Sequence, residues 1–204
     1  MRLFLFLLLT TVLPLNQTFA ESKTKRLVVV GDSLTEGYGV AKDSAFSSLL
    51  EKKIHESGKK EWTVVNSGIS GATTASAVGR LKWIFKSKPD LMLLILGAND
   101  GLRGLKIEDS EKNLSQAIQY AKDQNVKVIL GGLYMPPNYG KEYSEKFKKM
   151  YTSLAKKHDV LLIPFILDKV AGDPKYNLAD GIHPNEAGHR IIAETIFNDI
   201  KGQL

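Results

Sequence analysis

The chain has 204 residues, 43% hydrophobic and 25% charged, which suits one well-buried globular domain and leaves little for a second. Its net charge of +6 is spread over Lys52-Lys53, Lys59-Lys60, Lys148-Lys149 and Lys156-Lys157, on different predicted helices, so it reads as solvated faces rather than the clustered basic stripe of a nucleic-acid surface. With no cysteine there is no disulfide, no thiolate nucleophile and no Cys-ligated metal.

At the start, Arg2 is followed by Leu3-Phe4-Leu5-Phe6-Leu7-Leu8-Leu9 and further apolar residues to Leu15, then Thr18-Phe19-Ala20 before a polar Glu21. A basic start, a short apolar core and a small-x-small pattern predict an export signal over 1–20, cut after Ala20, with 21–204 as one mature domain. The apolar core is shorter than the ~20 residues a membrane span requires, which makes a retained anchor the lesser reading. Weak attraction to anionic headgroups is the most that the mild positive charge implies.

A β-branched run predicts the first strand over 25–31, broken by Gly31-Asp32-Ser33 into a tight turn. Ala45, Leu49, Leu50 and Ile54 recur at helical spacing, with Ser44 as the cap and Gly58 as the stop. The second strand is expected over 62–66, followed by a small-residue loop, 67–74, and a helix to about Lys86 that carries Ala77, Leu81 and Ile84 or Phe85 inward. Leu91-Met92-Leu93-Leu94-Ile95-Leu96 reads as a central strand buried on both faces and ends in Gly97-Ala98-Asn99-Asp100. A helix over 108–125 precedes the fourth strand, 126–130, and a Pro-Pro loop at 135–140 precedes a basic amphipathic helix over 142–158. The fifth strand, 160–164, an irregular stretch to Asp180 and a last helix over 185–201 complete the chain.

Five strands alternating with helices predict an α/β fold: a three-layer α/β/α sandwich on a five-stranded parallel sheet, in the flavodoxin-like order 2-1-3-4-5. In such a sheet the loops after strands one, two, three and five open at one edge, where ligands bind. Ser33 and the Asp180-Gly181-Ile182-His183-Pro184 segment can then meet despite their separation. Serine, histidine and aspartate are the parts of a nucleophile, a base and an orienter. Asn99 and backbone N–H groups of the glycine loop suit a developing negative charge. Alone, Ser33 would also suit a helix cap, Asp32 a turn and Asn99 a loop.

Gly31-Asp32-Ser33-Leu34, Asn66 to Gly71, Gly97-Ala98-Asn99-Asp100 and Asp180-Gly181-Ile182-His183-Pro184 resemble, in order and spacing, the four blocks of the GDSL or SGNH hydrolase family. The strings Asn99-Asp100-Gly101-Leu102-Arg103-Gly104 and Pro137-Asn138-Tyr139-Gly140 resemble its exported thioesterase, arylesterase and lysophospholipase branch. The resemblance implies Ser33, Asp180 and His183 as the catalytic triad, Ser33, Gly71 and Asn99 as oxyanion donors, and no cofactor. It further implies residence in the periplasm and action on small esters, thioesters or lysophospholipids; with no heptad run and no large apolar helix face to suggest obligate assembly, a monomer is expected. Ala98 departs from the second glycine that relatives often carry, which would narrow the pocket. A glycan O-acetyl esterase and a non-catalytic lipid or glycan module are the alternatives on the same scaffold. No Gly-x-Ser-x-Gly elbow occurs in the mature chain, against the α/β-hydrolase fold.

Gly101, Leu102, Met135, Pro136 and Tyr139 are expected to wall an acyl groove. No metal site is expected, since there is no His-Glu-x-x-His and no calcium loop, and no Walker or Gly-x-Gly-x-x-Gly sequence follows strand one. His55, His158 and His189 read as structural or solvated, and Trp62 and Trp83 as core or half-buried anchors.

Overall fold

The computed structural model describes residues 24–204; the predicted export signal lies outside the described residues. Strands β1 (Lys25–Gly31), β2 (Trp62–Gly68), β3 (Leu91–Ile95), β4 (Lys127–Gly131) and β5 (Leu161–Ile163) form one parallel sheet in the order β2-β1-β3-β4-β5. This is the order the alternation of elements predicts. Leu27 to Val30 pair with Val64 to Ser67 on one side and Leu91 to Leu94 on the other. Both central runs are buried throughout, as strands covered on two faces must be. Each such Leu or Val contributes roughly 1.5–3 kcal/mol.

Helices α2 (Phe46–Glu56) and α7 (Glu186–Ile200) pack together on one side of the sheet, and α3 (Ala77–Ile84), α5 (Ile107–Asp123) and α6 (Lys141–His158) pack in a row on the other. Two short helices, α1 (Ser33–Glu36) and α4 (Ala98–Leu102), follow β1 and β3 directly. Gly97 makes the second turn possible. It has φ +126°, and a Cβ there would collide with the Tyr151 hydroxyl, which donates to Leu96 O at 2.9 Å.

Two local expectations are corrected. Ser44 does not cap α2, because Lys42–Ser44 form their own 3-10 turn and Ala45 occupies the cap position. The Phe46 N–H donates instead to His189 Nδ1 of α7, at 3.2 Å. His189 is thereby the cap of a helix remote in sequence, and burial pushes its pKa down to about 4, so it stays neutral. Trp83 is 74% exposed, because Ala77 and Leu81 fill the inner face of α3, whereas Trp62 is buried.

Candidate active site

Asp32 and Ser33 sit where β1 turns into α1. Asp32 caps that helix, its Oδ1 accepting from Leu34 N at 3.0 Å, so Ser33 does not serve as the cap and its hydroxyl stays available. A Cβ on Gly31 would collide with the Thr35 side chain, which shows how closely α1 folds back on the strand end.

The segment from Pro164 to Asn185 brings the imidazole to this turn. Asn177 and Pro184 form an isolated antiparallel bridge, Leu178 N–H donates to His183 O at 2.8 Å, and Gly181 turns the chain at φ +75°. Within this narrow hairpin Asp180 Oδ1 accepts the N–H groups of Ile182 and His183, each at 3.0 Å, and Oδ2 lies 2.7 Å from His183 Nδ1. The N–H groups of His183 and Ile182, followed by the imidazole, hold the Asp180 pKa down to about 2. An ionised carboxylate only accepts, so the proton is on Nδ1 and the Nε2 lone pair faces Ser33 Oγ, 3.0 Å away. The Tyr38 ring packs on the imidazole with centroids 4.5 Å apart.

Asn99, in the first turn of α4, donates its Nδ2 to Ala72 O at 3.1 Å and to Asp32 Oδ2 at 3.4 Å. Asp32 is fully buried, and burial pushes its carboxyl up to about 6 against the pull of the Leu34 N–H. Gly71 has φ +76°, and its carbonyl accepts from Arg103 Nη2 at 3.3 Å. The two ends of the loop after β2 are braced. Asp100, buried, accepts Thr74 N at 2.9 Å, Thr74 Oγ1 at 2.6 Å and Ser110 Oγ at 3.2 Å. Arg80 reaches the ends of β1 and β2, donating to Gly31 O and Ser67 O, and its half-burial lowers its pKa. Neither Arg80 nor Tyr38 stands out in the sequence, since each is an isolated residue whose partner is distant.

A cavity of about 460 Å³ opens beside Ser33, Asn99 and His183. Leu102, Met135 and Pro136 line it, with Ile182 and with Phe165, Leu167 and Ala171, which the irregular stretch before Asp180 had not revealed. Ala98 lines it as well. Gly101 and Tyr139 do not line it. The Met135 sulfur lies where a Cβ on Gly101 would be, covering it, and Tyr139 stands behind the wall with its hydroxyl donating to Leu102 O at 3.1 Å. Gly71 is also outside the cavity lining, in the adjoining loop. Among the described residues, no group of three or more His, Asp or Glu is arranged to hold a metal ion.

The model of the GDSL-like Lipase/Acylhydrolase family matches residues 29–191. An arylesterase of Vibrio mimicus is 38% identical over 198 residues, covering 97% of this chain and 98% of that protein. A thioesterase, protease and lysophospholipase of Escherichia coli is 37% identical over 199 residues, covering 97% of this chain and 90% of its own. The crystal structure of TesA superposes with a TM-score of 0.85 at 36% identity, over 88% of this chain and 100% of that one. The psychrotrophic esterase EstA from Pseudoalteromonas sp., in a structure inhibited by monoethylphosphonate, superposes with a TM-score of 0.83 at 29% identity, over 88% and 98% of the two chains. A likeness that runs through fold, motif order and nearly the full length leaves one assignment: this chain belongs to the GDSL-like lipase/acylhydrolase family of hydrolases.

Proposed function

We propose that the chain is an exported serine hydrolase that cleaves carboxylic esters and thioesters through an acyl-enzyme. The observation that carries this reading is the unbroken chain from Asp180 Oδ2 to His183 Nδ1 (2.7 Å) and from His183 Nε2 to Ser33 Oγ (3.0 Å), at the mouth of an apolar cavity. Ser33 Oγ attacks the substrate carbonyl while its proton passes to His183 Nε2, and Asp180 stabilises the imidazolium. The oxyanion takes the N–H groups of Ser33 and Gly71 and the Asn99 amide, whose Nδ2 is held beside Ser33 by Ala72 O and Asp32. His183 then protonates the departing alcohol or thiol and afterwards activates the water that releases the acid.

The apolar lining favours the acyl chain of an aryl or alkyl ester, an acyl thioester or a lysophospholipid over the acetyl group of a glycan. No cofactor or metal enters this chemistry. Among the described residues no helix is long and apolar enough to cross a membrane. Export rests on the apolar leader with its cleavage pattern, and periplasmic residence as a monomer is part of the same reading.

The test is turnover of 4-nitrophenyl butyrate in the presence of a chelator, with labelling by a fluorophosphonate. The mature protein should hydrolyse the ester and carry the label on Ser33, and Ser33→Ala should do neither. A Ser33→Ala enzyme as active as the parent would overturn the mechanism.

A further inference from the structure

We propose that Glu36 is a positioning residue for the oxyanion donor at Gly71, a role that rests on the Ser33 mechanism above. Gly71 itself has little to hold it in place. It is exposed, has no side chain and adopts φ +76°, so the direction of its N–H depends on what grips the peptide on either side. Among the described residues that N–H has no backbone or side-chain acceptor of its own.

Both flanks are gripped by charged side chains. Before the peptide, the Glu36 carboxylate accepts the Ser70 N–H at 2.7 Å and the Ser70 hydroxyl on the same oxygen. After it, Arg103 holds the Gly71 carbonyl. Glu36 is the last residue of α1 and Ser33 the first, so the helix that presents the nucleophile also fixes the donor loop. The base of the loop is fastened to the same helix. Asn66 donates to Thr35 O at 2.6 Å and accepts from Gly68 N at 2.9 Å, and a Cβ on Gly68 would collide with the Glu36 backbone. Nucleophile and donor are thus spaced by one short rigid unit. A loop that loses the Glu36 grip keeps its base and loses the aim of its N–H.

The experiment measures kcat and KM for 4-nitrophenyl butyrate in Glu36→Ala and Glu36→Gln, with competent sites counted by fluorophosphonate titration. Butylboronic acid, which forms a tetrahedral adduct on serine, supplies an independent reading of the oxyanion site. In Glu36→Ala, kcat per titrated site should fall about tenfold with KM unchanged, a fraction of the loss expected for removing a donor outright. Inhibition by butylboronic acid should weaken by the same factor. Glu36→Gln, which keeps an acceptor oxygen, should recover most of the rate. Parental kcat and boronate affinity in a folded Glu36→Ala enzyme would overturn the role, as would a change confined to KM. Should Glu36→Ala fail to fold, Ser70→Ala, which removes only the hydroxyl donor, decides the matter: a smaller loss in kcat and boronate affinity together supports the role, and parental values overturn it. Ser33→Ala separates the two claims. If it is inactive while Glu36→Ala keeps the full rate, only the Glu36 role falls; if it is active, the mechanism falls first.

Discussion

The two sides of the cavity are built differently. On the side of β1, β2 and β3, polar groups are cross-braced: Asp100 to Thr74 and Ser110, Asn66 to Thr35, Arg80 to Gly31 and Ser67, and Asp32 to Leu34. On the side of β4 and β5, Met135, Phe165, Leu167, Ala171 and Ile182 meet the cavity with apolar surface. Hydrogen bonds are directional and fix atoms to a few tenths of an ångström, which is what a developing oxyanion requires. Apolar contact is non-directional and tolerates a change of shape, which suits acyl chains of different length. One wall is made to be rigid and the other to be filled.

Three substitutions probe this contrast. The largest effect should come from Asn99→Ala, which removes an oxyanion donor: kcat should fall about 100- to 1,000-fold by the same factor for acetyl, butyryl and octanoyl esters of 4-nitrophenol. A loss that varied with acyl length would mean that the rigid wall also reads the chain. Next is Asp32→Asn, which keeps an acceptor for Leu34 N–H and removes a buried charge. The Asp32 carboxyl is raised from 3.8 to about 6, so the stability it contributes is fully present below pH 3.8 and is lost as the pH rises through 6. The variant should therefore gain on the parent as the pH rises, by about 2–3 kcal/mol at pH 7 in urea unfolding. A constant difference from pH 4 to pH 7 would show that the braced wall holds no charge penalty. The smallest effect belongs to the apolar wall. Met135→Ala should reduce kcat/KM for octanoyl esters about tenfold relative to acetyl esters, for the loss of buried apolar contact. An unchanged chain-length profile would remove Met135 from the acyl site.

The sheet order, the strands and the residues that could meet at its edge were legible because each rests on local pattern. Val28-Val29-Val30 and Leu91 to Leu96 announce buried strands, and parallel strands bring their C-terminal ends to one side. The groove was half legible. Leu102, Met135 and Pro136 follow strand ends, but whether a loop residue faces a cavity or its back depends on packing, and Met135 covers Gly101 where the sequence treats the two as equals. The braces were hidden for a different reason. Glu36 with Ser70 and Phe46 with His189 are pairs between segments distant in sequence, with no periodicity to mark them. Ser44 was misread by the same logic, since a serine before an apolar run looks like a cap until an imidazole from another helix takes its place.

The narrow hairpin from Asn177 to Pro184 has a mechanical implication. Asp180 and His183 are tied to each other through two hydrogen bonds, with a third from the Ile182 N–H to the same carboxylate, inside one small closed unit, but to the alcohol through a single bond across the cleft. Thermal agitation of that unit displaces the two partners as a body, leaving the ring's tautomer set while its reach to the hydroxyl lengthens and shortens. The fragile joint of this machinery is therefore the gap bridged last, and solvents or temperatures that loosen the segment should silence turnover before they disturb the carboxylate–imidazole contact.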